Sequence, residues 1–242
     1  PKGISLSPDN DKLAISGYFS GNLISFDLSK EQVINNRMAG KQPEADLRRS
    51  GELLFNDATQ CFQQWLSCVT CHPDGRADGL NWDLLNDGIG NPKNTKSLLL
   101  THETPPVMAR GVRPDYSTAV AKGFHFIQFY GSTEDENLKL MSYLENMKPL
   151  KSPYNTISNS EKIETGEKIF FSEETGCGEC HPGPHYTNLK MYDVGSQAYP
   201  DRFSDYDTPA LTEVWRTGPY MHNGSSSSIY ELFKKNNPED KH

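Results

Sequence analysis

The sequence predicts a mainly α-helical fold of two similar domains, preceded by a short N-terminal β segment. Three observations support this prediction. Residues 1–30 alternate between apolar and polar side chains, as half-buried strands do. From about Leu47 onward the apolar spacing becomes helical. A Cys-x-x-Cys-His motif then occurs twice, at 68–72 and at 177–181, and each copy follows a similar helical approach.

Composition limits the classes of protein to be considered. The chain has 242 residues and a formal net charge of −8, a length that suits one large or two modest domains. The absence of a lysine or arginine run disfavours nucleic acid as a partner, because phosphate binding needs a basic surface. No stretch approaches the roughly 20 consecutive apolar residues of a transmembrane helix. The opening residues, PKGISLSPDNDK, lack the pattern of a signal peptide, so we expect a mature chain or a piece of one.

Residues 1–30 are predicted to form three short strands. The segments GISLS, KLAISGY and NLISFDL alternate as strands do, and PDND and FSGN supply turn residues between them. The segment resembles one blade of a YVTN-type or related β-propeller. One blade cannot bury its own faces, so this resemblance implies further blades upstream; the alternative is a local meander that belongs to the next domain. Residues 31–46 are polar, and we predict a linker there.

Two helical domains are predicted in the remainder of the chain. The first, 47–150, holds the first motif, a Gly- and Asn-rich loop at 86–94, and two helices with the sequences YSTAVAKGFHFIQF and EDENLKLMSYLENM. A second linker is expected at 151–160, and the second domain occupies 161–242. SGELLFND before the first motif matches TGEKIFFSE before the second, which indicates an internal duplication.

The repeated motif predicts a cofactor. In Cys-x-x-Cys-His, two thiols add to the vinyl groups of a haem and the adjacent histidine binds the iron. Zinc knuckles pair about 15–20 residues apart, whereas these motifs begin 109 residues apart, and thioredoxin-like dithiols need a βαβ context that neither copy has. We therefore predict two covalently bound haem c groups in two c-type cytochrome domains. The predicted thioethers come from Cys68, Cys71, Cys177 and Cys180, and the predicted proximal iron ligands are His72 and His181.

Covalent attachment also predicts a location. Haem c is attached outside the cytoplasm, so we expect a periplasmic, extracellular or cell-surface protein. The fifth cysteine, Cys61, is predicted to be a buried structural thiol.

The C-terminal part of the sequence resembles a known family. DTPALTEVWRTGPYMHNG is similar to the signature of the bacterial dihaem cytochrome c peroxidase and MauG family, and GNPKNTKSLLLTHETPP resembles the family's segment after its N-terminal haem. The resemblance extends from about residue 45 to the end. It implies two helical domains whose haems face a shared interface, with the peroxidatic haem in the first. It also implies a calcium ion bound by the Asn94 side chain and the Thr208 and Ala210 carbonyls, and it places His222 near the second haem.

The sequence departs from that family at several functional positions. The tryptophan that the family places between its haems falls on Ala109, and the distal glutamine falls near Ala119. The distal glutamate falls near Phe129, with Gln128 beside it. Such groups perform acid–base work on peroxide, so their loss disfavours peroxidase activity. The family's axial Met or Tyr on the second haem falls on Asn236, and we expect a truncated C-terminus.

The distal iron ligands are assigned from sequence context. Met108 follows a rigid TPPV segment and is our candidate on the first haem; His102 and His125 are the alternatives. Met191, ten residues after His181, is our candidate on the second haem. The alternatives there are Met221, His222 and His242, and either Trp82 or Trp215 is a candidate replacement for the missing bridging tryptophan.

Two functions are compatible with these observations. The first is a peroxidase-like oxidoreductase that reduces or uses hydrogen peroxide, with electrons relayed between two haems from a small redox protein or a quinol-derived donor. The second is a non-catalytic electron-transfer module with both haems six-coordinate. The family resemblance favours the first, and the missing distal groups favour the second. A catalytic site in the propeller is a third, weaker possibility.

Overall fold

The computed structural model describes residues 2–85, 89–237 and 241–242, which form two compact units, 1–46 and 47–242. The boundary between the two units falls at the point in the sequence where the helical pattern begins. None of the helices in the described ranges has the length and hydrophobicity that a membrane-spanning helix requires. The predicted division of 47–242 into two domains stays a prediction, and the predicted loop at 86–94 lies partly outside the described residues.

The N-terminal unit is an antiparallel sheet of four strands in sequential order. The strands are β1 (Gly3–Leu6), β2 (Lys12–Ser16), β3 (Asn22–Asp27) and β4 (Gln32–Met38). The register aligns Ile4 with Ile15 and Ile15 with Ile24 across the first three strands, so one face of the sheet is apolar. The three strands predicted between residues 1 and 30 are confirmed.

Strand β4 corrects the linker predicted at 31–46. It pairs with β3 from Asn22 opposite Met38 to Asp27 opposite Gln32. Every side chain of β4 is exposed, including those of Val33, Ile34 and Met38, and its apolar residues do not alternate with polar ones. Backbone pairing holds this strand in place, and backbone pairing leaves no hydrophobic signal in a sequence.

The first half of the second unit is built around three helices. They are α1 (Leu47–Asn56), α3 (Tyr116–Phe126) and α4 (Glu134–Glu145), and the single turn α2 (Cys68–Cys71) carries the first motif. The helices α1 and α4 pack so closely that a Cβ atom at Gly51 would collide with the Lys139 carbonyl. Their buried core consists of Phe55, Leu99, Phe124, Leu140, Leu144 and Met147.

The second half repeats the order of helix, motif turn, hairpin and helix. The helix α5 (Ser160–Phe170) precedes the single turn α6 (Cys177–Cys180), which carries the second motif, and α7 (Ile229–Lys235) follows. Each half also contains one small hairpin. In the first half, β5 (Asn81–Trp82) pairs with β6 (Lys93–Asn94), and in the second half β7 (Met191–Asp193) pairs with β8 (Asp205–Asp207).

Candidate functional site

The first motif forms one helical turn followed by a fixed histidine. The Ser67 amide donates to the Thr70 hydroxyl at 3.1 Å, which stabilises the start of α2. The His72 amide donates to the Cys68 carbonyl at 2.9 Å and continues the turn. The His72 ring then places Nδ1 3.0 Å from the Arg76 carbonyl oxygen.

The second motif has the same local structure. Gly176 precedes α6 with a φ of 65°, a conformation that favours glycine. The His181 amide donates to the Cys177 carbonyl at 2.9 Å. Nδ1 of His181 lies 2.8 Å from the Tyr186 carbonyl oxygen.

These contacts leave one nitrogen of each histidine available for a metal. A carbonyl oxygen only accepts, so Nδ1 carries the hydrogen in both contacts. Metal-binding histidines commonly donate one ring N–H to a backbone carbonyl in this way and bind the metal through the other nitrogen. Burial lowers the pKa of both His72 and His181, which favours the neutral, metal-binding form. This arrangement is compatible with a metal on the other ring nitrogen, and the role of both histidines as proximal iron ligands stays a prediction.

The described side chains do not assemble a zinc site. The five cysteines, all within the described ranges, form no disulfide. Burial raises the pKa of Cys68 to about 12 and that of Cys71 to about 11, which favours the protonated thiols. Within residues 2–85, 89–237 and 241–242, no three His, Cys, Asp or Glu side chains cluster as metal ligands. The alternative of a shared zinc site has no support.

The surroundings of the second motif suit a flat apolar cofactor. Phe171, Tyr186 and Phe233 are each between 40% and 49% exposed. Phe171 and Tyr186 pack together with ring centroids 6.4 Å apart, and Phe171 also lies against Gly178 in α6. Apolar rings beside two thiols and a free imidazole nitrogen fit a haem bound through thioethers.

His242 faces His181 across this region. The two ring centroids are 6.5 Å apart, the ring planes differ by 20°, and Phe233 packs against His242 at 6.0 Å. A bond from a metal to an imidazole nitrogen is about 2.0–2.1 Å long, so two opposed imidazoles on one metal have centroids about 6–6.5 Å apart. The spacing between His181 and His242 therefore fits one iron between them.

The duplication extends well beyond the motifs. Residues 94–115 and 207–228 correspond without a gap. The segments share a turn in which the Gly111 amide donates to the Met108 carbonyl at 3.1 Å and the Gly224 amide donates to the Met221 carbonyl at 3.2 Å. Each turn is flanked by one isolated bridge. The structural equivalent of Met108 is therefore Met221.

Met191 occupies a different position from Met108. It lies in β7 opposite Asp207, as Asn81 lies in β5 opposite Asn94. Its Sδ atom lies 3.5 Å from the position that a Cβ atom on Gly111 would take. Met191 is thus placed beside the turn of the first half, and no contact with the described side chains near His181 supports its predicted role, which stays a prediction.

The two halves contact each other reciprocally. The Asn94 amide donates to the His222 carbonyl at 2.7 Å, and the Asp207 amide donates to the Ala109 carbonyl at 2.9 Å. Asn94 corresponds to Asp207 and Ala109 corresponds to His222, so these are two copies of one contact. Ala109, the position of the family's bridging tryptophan, therefore makes the contact that its equivalent His222 makes in the other copy.

His222 belongs to a buried polar cluster at that interface. Its Nε2 donates to the Asp201 carboxylate at 2.7 Å, Lys93 binds the same carboxylate at 2.9 Å, and Tyr206 stacks on its ring. Burial raises the pKa of Asp201, but hydrogen bonds from the Ala198 amide, Lys93 and His222 outweigh it and lower the pKa to about 2. Sequence reasoning missed Asp201, Lys93 and Tyr206, and aligning Asn94 with Asp207 is the signal that would have drawn attention to them.

The predicted calcium ligands lie in the same interface. Nδ2 of Asn94 donates to the Pro219 carbonyl at 2.6 Å, while its buried Oδ1 has no hydrogen-bond partner in the described part of the chain. The Thr208 carbonyl accepts from Thr187 at 2.6 Å, and Ala210 is half-buried. An orphaned oxygen at Asn94 is compatible with a cation ligand, and the calcium ion stays a prediction.

Two histidines share one carboxylate, and Gln128 lies beside the first motif. His102 and His185 both contact the Glu103 carboxylate, at 3.1 Å and 2.8 Å. Gln128 is 3% exposed, with Nε2 3.8 Å from Cys68 Sγ and no partner for its Oε1 among the described residues. Cys61 is buried, as expected for a structural thiol.

Known proteins resemble this chain in sequence. A model of RoxA-like, cytochrome c-like domains matches residues 205–240. Hydrazine synthase subunit gamma of Kuenenia stuttgartiensis is 26% identical over 262 residues, which cover 82% of this chain and 72% of that protein. Cytochrome-c peroxidase IdrP1 of Pseudomonas sp. (strain SCT) is 24% identical over 129 residues, and the match spans only 34% of its length.

Solved structures share the fold. A Kuenenia stuttgartiensis hydrazine synthase chain has a TM-score of 0.75 at 23% identity, covering 85% of this chain and 83% of that one. A MauG-like protein associated with microbial copper homeostasis gives 0.64 at 17% identity, covering 81% and 75%. A variant of the dihaem peroxidase BthA from Burkholderia thailandensis gives 0.60 at 15% identity, covering 82% and 75%.

These similarities support a haem c oxidoreductase family. The cytochrome c-like match and the dihaem relatives imply covalently bound haem c. Relatives in this group are enzymes, which supports an oxidoreductase kind of activity. The propeller-blade interpretation of residues 1–30 gains no support from them.

Proposed function

We propose that the chain is a dihaem c-type oxidoreductase that reduces or uses hydrogen peroxide, with electrons relayed between two haems. The observation that carries the proposal is the pair of equivalent motifs in which a carbonyl fixes Nδ1 of each histidine, at 3.0 Å for His72 and 2.8 Å for His181. A bound haem c supplies an iron that carries one electron at a time and, with an open sixth position, accepts small ligands.

The first motif would hold the reactive haem. Cys68 and Cys71 would form its thioethers and His72 its proximal ligand. Met108 is the candidate for the opposite face, on a turn that the Gly111 amide closes. A weak or displaced thioether at this position leaves a site for peroxide.

The second motif would hold the electron-storing haem. Cys177 and Cys180 would form its thioethers, and His181 and His242 would hold the iron. We favour His242 over Met191 because its ring faces His181 at 6.5 Å. Ligation by two histidines would suit a haem that carries electrons and would exclude the binding of small ligands.

The overall reaction consumes one hydrogen peroxide, two electrons and two protons, and it yields two water molecules. We propose a small redox protein or a quinol-derived molecule as the electron donor, a calcium ion at Asn94 between the halves, and a periplasmic or cell-surface location. The N-terminal sheet would then be one blade of a larger propeller. The donor and the calcium ion rest on the family resemblance, the location on covalent haem attachment, and the blade on the resemblance of residues 1–30 to a propeller blade.

A second candidate function follows from the extent of one similarity. The hydrazine synthase subunit covers most of this chain, whereas the peroxidase covers about a third. The chain would then be one subunit of a larger enzyme that handles small nitrogen compounds at the same first haem. The non-catalytic electron carrier remains the third alternative.

Absorption and EPR spectra of the holoprotein separate these functions. Peroxidase-type chemistry predicts one haem that is high-spin or becomes so on half-reduction, binds carbon monoxide and turns over hydrogen peroxide. The nitrogen-compound function predicts an open haem that responds to hydrazine and leaves peroxide unconsumed. If both haems stay low-spin and bind no carbon monoxide at any redox level, the peroxidase and nitrogen-compound functions are excluded. The chain would then be an electron carrier.

A further inference from the structure

Two buried aromatic side chains form a face-to-face stack where the halves meet. The rings of Tyr206 and His222 have centroids 3.8 Å apart and planes that differ by 12°. The Tyr206 hydroxyl donates to the Phe203 carbonyl at 3.0 Å, so the buried phenol is satisfied. Asp201 holds the other ring through a 2.7 Å hydrogen bond from His222, and only 3% and 5% of those two side chains are exposed. The stack is therefore rigidly supported.

One end of the stack leads to the second motif. Tyr206 lies in β8, and three residues later the backbone of Pro209 reaches His181. The chain thus connects the Tyr206 ring to a proximal histidine through a few covalent bonds and one backbone contact.

The other end leads to the first motif. The His222 carbonyl accepts the Asn94 amide at 2.7 Å. Two residues after Asn94, the backbone of Lys96 reaches the His72 ring. Bonds, hydrogen bonds and one ring stack thereby join the two proximal histidines in a continuous path.

The path has no aromatic copy on the other side of the interface. The duplication matches Tyr206 with Lys93 and His222 with Ala109, and neither of these carries an aromatic ring. Ala109 occupies the bridging position and carries no aromatic ring. Its equivalent, His222, compensates for this by forming the stack with Tyr206.

We propose that the Tyr206–His222 stack is the electron relay between the two haems. The inference rests on the proposed function, since it needs two haems. One electron passes from the haem of the second motif to that of the first, with no bond formed or broken at the stack. Electron tunnelling is faster through bonded and stacked atoms than through an empty gap of equal length. Asp201 is a positioning residue that keeps the His222 ring parallel to Tyr206.

The test measures electron exchange between the haems of the holoprotein. A ruthenium photosensitiser injects one electron, and the absorption bands of the two haems report its transfer. Tyr206→Leu is expected to slow exchange by at least an order of magnitude, and Tyr206→Phe, which keeps the ring, is expected to leave it near the wild-type rate. Tyr192→Leu, in the strand paired with Tyr206, is the matched control and is expected to leave the rate unchanged.

The outcomes separate the relay from the underlying function. If the wild type itself shows no exchange, the dihaem function fails and the relay fails with it. If the wild type exchanges and Tyr206→Leu exchanges equally fast, the relay alone is refuted. Asp201→Asn provides a second variant should Tyr206→Leu not fold: slower exchange with unchanged EPR spectra of both haems supports the relay, and an unchanged rate contradicts it.

Discussion

The ion pair between Arg76 and Glu213 joins the two halves and offers a sharp test of the fold. Glu213 accepts Nε of Arg76 at 3.0 Å and Nη2 at 2.7 Å, and its side chain is 1% exposed. It also accepts the Leu150 amide. The Arg76 carbonyl in turn orients His72. Loss of the Glu213 charge is therefore expected to weaken the fold and to disturb the first motif.

Substitution Glu213→Gln keeps the shape and removes the charge. Removing one partner of a buried ion pair typically costs about 3–5 kcal/mol because the other charge stays buried. Glutamine still accepts one hydrogen bond, so we expect a loss of about 3 kcal/mol in the free energy of unfolding at pH 7. The matched control is Glu164→Gln, which breaks an exposed pair with Lys168 and is expected to change stability by less than about 0.5 kcal/mol.

Urea unfolding followed by far-UV circular dichroism measures both variants, and the EPR spectrum reports the geometry at His72. Hydrogen bonds from Arg76 and the Leu150 amide outweigh burial and lower the pKa of Glu213 from 4.5. A carboxyl group whose pKa is lower in the folded state stabilises the fold at pH values above its unfolded pKa. This stabilisation is lost as the pH falls from the unfolded pKa through the folded pKa. The difference in the free energy of unfolding between the wild type and Glu213→Gln should therefore become smaller below pH 4.5. Equal free energies of unfolding for Glu213→Gln and the control Glu164→Gln at pH 7 would refute the stabilising role of the Glu213 charge.

Three further outcomes are expected. His242→Met should replace the EPR signal of a bis-histidine haem with that of a histidine–methionine haem and raise its potential; an unchanged spectrum would exclude His242 as a ligand. Gly51→Ala should lower the urea midpoint by an amount equivalent to about 1–3 kcal/mol, because its Cβ meets the Lys139 carbonyl, and a neutral effect would contradict the close helix packing. The pKa of Asp201 is about 2, so protonation of this carboxylate should lower the free energy of unfolding of the wild type by about 2 kcal/mol as the pH falls from 4 towards 2. Asp201→Asn should not show this loss.

Local covalent spacing made the motifs predictable. The spacing of two cysteines and a histidine suits one helical turn, and the structure forms that turn at Cys68–Cys71. The haem-binding roles of Cys68 and His72 stay predictions. The aromatic and glycine pattern before each motif likewise indicated the duplication. These signals need no knowledge of tertiary structure.

The distal side of each motif depends on tertiary structure and was harder to predict. Met108 lies 36 residues after His72, whereas Met191 lies only 10 residues after His181. The hairpins match Met191 with Asn81, and the shared turn matches Met108 with Met221. His242 reaches His181 from 61 residues further along the chain, and no sequence period encodes that approach. Strand β4 was missed for a similar reason, since pairing with β3 alone holds it.

The reciprocal interface explains how two copies of one frame can differ in chemistry. The contacts that join the halves run from the Asn94 amide to the His222 carbonyl and from the Asp207 amide to the Ala109 carbonyl. Backbone groups make both of these contacts, so they do not depend on which side chains occupy the four positions. Side chains then add different interactions to each copy: Asp201, Lys93 and Tyr206 surround His222, whereas Arg110 beside Ala109 pairs with Asp205. The proposed direction of electron flow would therefore follow from a few side chains placed on a shared, nearly symmetric frame.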